Sequence, residues 1–85
     1  MATTEMRRLT VLSRAYCHLC DEMIDALRAL QSGADFALEV RDVDDDPMLE
    51  ARFGERVPIV LAGDQEICHY RLDLPAVHAW LRNFR

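Results

Sequence analysis

Cys17 and Cys20 bracket His18 and Leu19 in the stretch RAYCHLCDEM. Two thiols at that spacing suit three chemistries: half of a zinc site, a structural disulfide, or a dithiol/disulfide couple. The pair follows the apolar run LTVL and precedes a segment of helical periodicity, so Cys17 is expected where a strand turns into a helix. Unpaired N–H groups and the positive end of the helix dipole favour an anion there. A thiolate is such an anion, and it is the nucleophile in disulfide exchange. Cys20, one turn further in, falls on the apolar face. Dithiol chemistry needs that division between an accessible attacking sulfur, here Cys17, and a more buried partner, Cys20, that resolves the mixed disulfide. Across one helical turn the two also meet the Cα separation of about 4.4–6.8 Å that a disulfide requires. His18 favours the Cys17 thiolate, whereas Asp21, Glu22 and Asp25 repel it. Each such effect is about 0.3–1 kcal/mol at an exposed helix end, so moderate activation is expected.

Zinc or an iron–sulfur cluster held by the same cysteines is the alternative. A closed zinc site would take Cys17, Cys20, Cys68 and either His18 or His69, and only if the fourth strand brought Cys68 to the pair. A second Cys-x-x-Cys is missing, and redox chemistry is the favoured expectation. Cys68 otherwise reads as a small buried hydrophobe, His69 and His78 as surface or edge residues, and Trp80 and Phe84 as core. The acidic run Asp44 to Asp46 reads as helix capping.

The elements that must position the pair follow from periodicity. Leu9–Ser13 is an uncharged β-branched and leucine run that suits a central strand covered on both faces. From His18 to Gln31, apolar Cys20, Met23, Ile24, Leu27 and Leu30 recur at helical spacing, with Gly33 as the stop signal. In Asp35–Val43, Phe36, Leu38 and Val40 alternate against Ala37, Glu39 and Arg41, a half-buried strand. A short helix Met48–Phe53 follows an acidic cap and Pro47, and Gly54 ends it. VPIVLA and EICHY form strands joined at Gly63-Asp64, and Asp73–Phe84 is the amphipathic closing helix. The order is βαβαββα in a single domain spanning residues 1–85, with a mixed four-stranded sheet.

Composition bounds the rest. The 85 residues are 51% hydrophobic and 29% charged, with a net charge of −5, an ordinary globular mixture that should fold without staples. All 10 basic residues are arginine, and they form no dense cationic stripe of the kind a phosphate backbone needs, so no nucleic-acid partner is expected. The opening MATTEMRRLTVL has no long apolar core or cleavage site, and no window approaches the roughly 20 apolar residues of a membrane span. A cytoplasmic monomer is expected. Three cysteines in a reducing compartment argue against a disulfide framework and leave redox or metal chemistry for the close pair.

The strand LTVLS, then Arg14 and Cys17-His18-Leu19-Cys20, then Val57-Pro58 ahead of a hairpin, resembles the glutaredoxin-like branch of the thioredoxin superfamily over almost the whole chain. CHLCDEM is similar to small bacterial glutaredoxin-like proteins. The resemblance implies an α/β thioredoxin-like fold with three helices flanking the sheet, and thiol-disulfide oxidoreductase activity with Cys17 and Cys20 catalytic. It implies substrate contacts at Arg14, Tyr16, His18, Val57 and Pro58, a cis peptide at Val57-Pro58 lying against the cysteine pair, protein disulfides as substrates, and a cellular thiol as reductant. Members that hold glutathione usually follow the fourth strand with Gly-Gly and an acidic residue, whereas this chain has Cys68-His69-Tyr70-Arg71-Leu72-Asp73. Arg14 and Arg56 could still pair with glutathione's carboxylates. Weak glutathione binding, and no resident cofactor or metal, are therefore expected.

Overall fold

The computed structural model describes residues 7–83. The expectation that no leader precedes the first strand, so far as it rests on residues 1–6, and the placement of Phe84 in the core lie outside the described residues. The elements are β1 (Arg8–Ser13), α1 (His18–Leu30), β2 (Ala37–Asp42), α2 (Pro47–Phe53), β3 (Ile59–Ala62), β4 (Gln65–His69) and α3 (Leu74–Arg82). α2 ends at Phe53 with Gly54 as its C-cap, as expected, and single 3-10 turns at Val43–Asp45 and Gly54–Arg56 flank it.

The sheet runs β2-β1-β3-β4. β1 pairs in parallel with β2 and antiparallel with β3, and β3–β4 is a hairpin. This is the mixed α/β sheet expected, with β1 interior. Gly63 has φ +63 in the hairpin turn, a left-handed conformation that glycine adopts without the Cβ penalty. A bulge interrupts β3–β4, since Val60 pairs with Cys68 but Leu61 with Glu66. The extra residue, Ile67, resets the alternation, so both Ile67 and Cys68 pack against the same cluster.

That cluster fills the face beneath α1 and α3: Leu9, Val11, Met23, Leu27, Phe36, Val60 and Val77. The opposite face buries Leu12, Val43, Phe53, Ile59 and Leu61 beside α2. The two sets alternate along β1 and β3, as strands covered on both sides require. Trp80 is half-buried, edge-on to Phe36 with ring centroids 6.3 Å apart.

Three expectations need correction. Val40 is 40% exposed, because β2 is an edge strand and the cluster beneath α1 reaches Phe36 and Leu38 but not its far end. Gly33 does not cap α1. The helix stops at Leu30 with Gln31 in right-handed geometry, and the Gln31 amide donates to the Phe36 carbonyl at 2.9 Å. Tyr70 lies beyond β4, with φ 66.

Candidate redox site

β1 ends at Ser13, and the chain turns through Ala15 and Tyr16 before α1 begins at His18. Tyr16 has φ 59 and is fully exposed. A tyrosine in the left-handed region costs on the order of 1 kcal/mol, and the turn delivers Cys17 to the N-cap of α1. The Cys17 Sγ accepts the Cys20 N–H at 3.2 Å, and the Cys17 carbonyl accepts from Asp21 N–H at 3.1 Å. Cys17 thus takes the place that serine or aspartate fills at other helix starts. Cys17 and Cys20 are joined as a disulfide with Cα atoms 5.2 Å apart. Cys20 is completely buried and Cys17 half-buried, the asymmetry that the two sequence positions dictate.

His18 opens α1 and is exposed. Val57-Pro58 is cis, as expected, and Pro58 is buried. Ile59 faces Leu12 across β1–β3, so Val57-Pro58 enters the sheet at the end where β1 hands the chain to the cysteine turn. Tyr70 N–H donates to the Pro58 carbonyl at 2.8 Å, and Tyr70 Oη–H donates to the Glu55 carbonyl at 2.8 Å. Tyr70 therefore straps the 55–58 segment to the end of β4. Nothing in the sequence flags this role, because a tyrosine with positive φ has no local signature.

The two arginines considered for substrate carboxylates are engaged within the chain. Arg14 Nε donates to Asp44 Oδ2 at 3.2 Å and Nη2 to Glu50 Oε2 at 3.0 Å, with Nη1 3.4 Å from the Gly54 carbonyl. These carboxylates raise its pKa, first through the Asp44 hydrogen bond. A Cβ on Gly54 would stand 2.5 Å from Glu50 Oε2 and 3.0 Å from Arg14 Nη2, so glycine leaves room for this approach. Arg56 donates to Glu66 Oε1 at 2.6 Å, and His69 Nδ1–H donates to Glu66 Oε2 at 2.6 Å. The His69 hydrogen bond leads in holding the Glu66 carboxyl below its usual range. Glu66 and His69 share a face because of the bulge at Ile67.

Cys68 is half-buried in β4 against the core, and burial pushes its thiol pKa up. Among the described residues, no three His, Cys, Asp or Glu side chains converge to hold a metal ion. The acidic run divides its tasks: Asp46 caps α2 through Met48 N–H, while Asp44 pairs with Arg14. Between α1 and the β4–α3 loop lies an open groove of about 330 Å³ lined by Leu19, Glu22, Met23, Ala26, Tyr70, Arg71 and Leu72.

Comparison with known proteins places this architecture. Residues 8–82 match the pattern of the glutaredoxin-like domain (DUF836). The chain belongs to that glutaredoxin-like family. The glutaredoxin-like domain is similar to protein Ne2328 of Nitrosomonas europaea, whose solution structure superposes with a TM-score of 0.82 at 42% identity, covering 95% of this chain and 98% of that one. It is also similar to the X. campestris target protein XcR50, known from an X-ray structure, with a TM-score of 0.68 and 35% identity over 91% of this chain and 99% of the other. An uncharacterized protein of Mycobacterium tuberculosis, Rv0508, is 32% identical over 71 residues, 78% of this chain and 73% of the relative. The domain thus has a thioredoxin-type fold and a cysteine pair close enough to form a disulfide. Among its described residues no helix is long and apolar enough to cross a membrane.

Proposed function

We propose that this glutaredoxin-like domain is a thiol-disulfide oxidoreductase acting on protein disulfides. The observation that carries the reading is the asymmetric cysteine pair at the start of α1, with half-buried Cys17 bonded to fully buried Cys20. In the reduced form the Cys17 thiolate attacks one sulfur of a substrate disulfide. A mixed disulfide forms and the other substrate sulfur leaves as a thiolate. Cys20, deprotonated, then attacks Cys17, closing the intramolecular disulfide and releasing the second substrate thiol. Two electrons pass from the dithiol to the substrate, and a cellular thiol reductant returns them in a second exchange. Tyr16 and His18 flank Cys17 as substrate contacts, and Val57 offers its backbone to an extended substrate while buried Pro58, its carbonyl held by Tyr70 N–H, positions it.

Protein disulfides are preferred to glutathione in this reading for two reasons. Arg14 and Arg56 are already paired with Asp44, Glu50 and Glu66, and Cys68 and His69 carry side chains where glutathione binders have glycine. Limiting iodoacetamide on the reduced protein should label Cys17 ahead of Cys20, which is completely buried. Cys20→Ser should accumulate a mixed disulfide with an oxidised protein. Equal labelling of Cys17 and Cys20 across pH, or three free thiols with bound zinc after chelator-free purification, would contradict the proposal.

A further inference from the structure

The sheet has two edges, β2 and β4, and they are built differently. β4 carries the bulge at Ile67, which breaks the regular row of backbone groups that an incoming strand needs. β2 has no such guard. It pairs with β1 in unbroken register from Arg8–Ala37 to Ser13–Asp42, and its sequence ALEVRD holds no proline, lysine or glycine. Glu39, Val40 and Arg41 are all exposed along it, and Val40 presents an apolar side chain there.

The hydrogen-bond phase of this edge is fixed. Ala37 N–H donates inward to the Arg7 carbonyl at 2.7 Å. Backbone groups alternate in direction along a strand, so Glu39 and Arg41 also bond towards β1, while the N–H and C=O of Leu38, Val40 and Asp42 face outward. An added strand must bond to those three residues. Set antiparallel to a second copy of itself, β2 has one register that suits both its backbone and its charges. A two-fold axis at Val40 places Val40 opposite Val40 of the copy as a hydrogen-bonded pair, with Leu38 opposite Asp42. Glu39 then falls opposite Arg41 on both sides of the axis, at the non-hydrogen-bonded positions where side chains come closest. Moving the axis by one residue either way sets Glu39 against Glu39 or Arg41 against Arg41, and like charges directly opposite are unfavourable.

Both charges are available for this pairing. Among the described residues Arg41 makes no ion pair, in contrast to Arg14 and Arg56. Glu39 accepts the Thr10 hydroxyl on one carboxylate oxygen, at 3.3 Å, which leaves the other. The Asp42 carboxylate is held within its own chain by the Asp44 N–H at 2.8 Å. We infer that β2 is a self-association surface: two copies of this chain join edge to edge through antiparallel β2 strands centred on Val40, making one continuous sheet across a two-fold axis. An edge of six residues buries less than the roughly 1,200 Å² of a standard interface. The pair is therefore weak and concentration-dependent, in place of the monomer expected from the sequence. It is independent of the redox reading, because neither Cys17 nor Cys20 lies in β2.

Sedimentation of the full chain under reducing conditions, from about 10 μM to 1 mM, should show the average mass rising from monomer towards dimer. Glu39→Arg sets cation against cation across the axis, and Arg41→Glu sets carboxylate against carboxylate. Each should raise the dissociation constant at least about tenfold. Mixed in equal amounts, the two variants should associate with each other, since every charge of one then faces its opposite on the other. Val40→Lys, which puts two ammonium groups at the axis, should abolish association. Melting curves report the folding of each variant separately. Should a charge variant fail to fold, the exposed Val40→Lys substitution still decides. A native chain that stays monomeric to the highest concentration overturns the proposal. Association that survives Val40→Lys also overturns it, because the contact then lies on another face. So does a mixture of folded Glu39→Arg and Arg41→Glu chains that stays monomeric, because the strands are then not paired in this register.

Discussion

The two faces of the sheet are held together differently. Beneath α1 and α3 lies a continuous apolar cluster that includes Met23 and Leu27, with Cys20 wholly buried on the same helix. On the α2 side the apolar cluster is smaller and is edged by ion pairs: Arg14 with Asp44 and Glu50, Arg56 with Glu66, and the Arg52 and Arg56 guanidinium groups 4.8 Å and 5.7 Å from the Phe53 ring centroid. The cysteine pair belongs to the first face, where close packing fixes the helix that carries Cys20. The second face supports the segment that carries Val57 and Pro58, through contacts that water and salt can weaken. The candidate site thus has one closely packed wall and one edged by ion pairs.

The largest effect should come from the closely packed wall. Leu27→Ala removes a completely buried side chain and should cost about 2–5 kcal/mol in denaturant unfolding of the oxidised protein. Leu61→Ala on the other face, 9% exposed, should cost less. Equal costs would erase the distinction between the faces. Next in size is the cap of α3, where the Asp73 carboxylate accepts the Ala76 N–H at 3.1 Å. Asp73→Ala should destabilise by about 1 kcal/mol, while Asp73→Asn should retain most of the native value.

Smaller still is the pH dependence contributed by Glu66. Its folded pKa lies below the unfolded value near 4.5. Its stabilisation is therefore complete above the unfolded pKa and is lost as pH falls through the folded one. With the side chain 29% exposed, the contribution should stay under about 1 kcal/mol. Subtracting the Glu66→Gln curve from the native curve below pH 5 should expose it as a positive slope. A difference independent of pH would remove Glu66 from the electrostatic wall. The smallest effect belongs to Arg14, whose partners are about half exposed. Arg14→Met should lower the melting temperature slightly at low salt and not at all at high salt. A salt-independent loss would mean that Arg14 acts by packing rather than by charge.

The sequence by itself determined the order of elements, the interior position of β1 and the placement of Cys17 ahead of Cys20 at a helix start. Each of these rests on local rules: apolar periodicity, caps such as Asp46-Pro47 and Asp73, and a glycine turn at Gly63. It also marked Val57-Pro58, through resemblance to a family. Tertiary structure alone decided what those rules do not reach. The bulge at Ile67 sets Cys68 against the core and brings Glu66 under His69, although regular alternation would part Glu66 from His69. Val40 has the pattern of a buried strand residue, yet α1 does not cover that end of the edge strand. Arg14 and Arg56 look available in the chain and are matched to carboxylates 30 or more and 10 residues away in sequence. Tyr70 leaves the strand to bind Pro58 and Glu55. In each case the deciding contact joins segments separated along the chain, and its energy depends on distances that only the packed sheet and helices set.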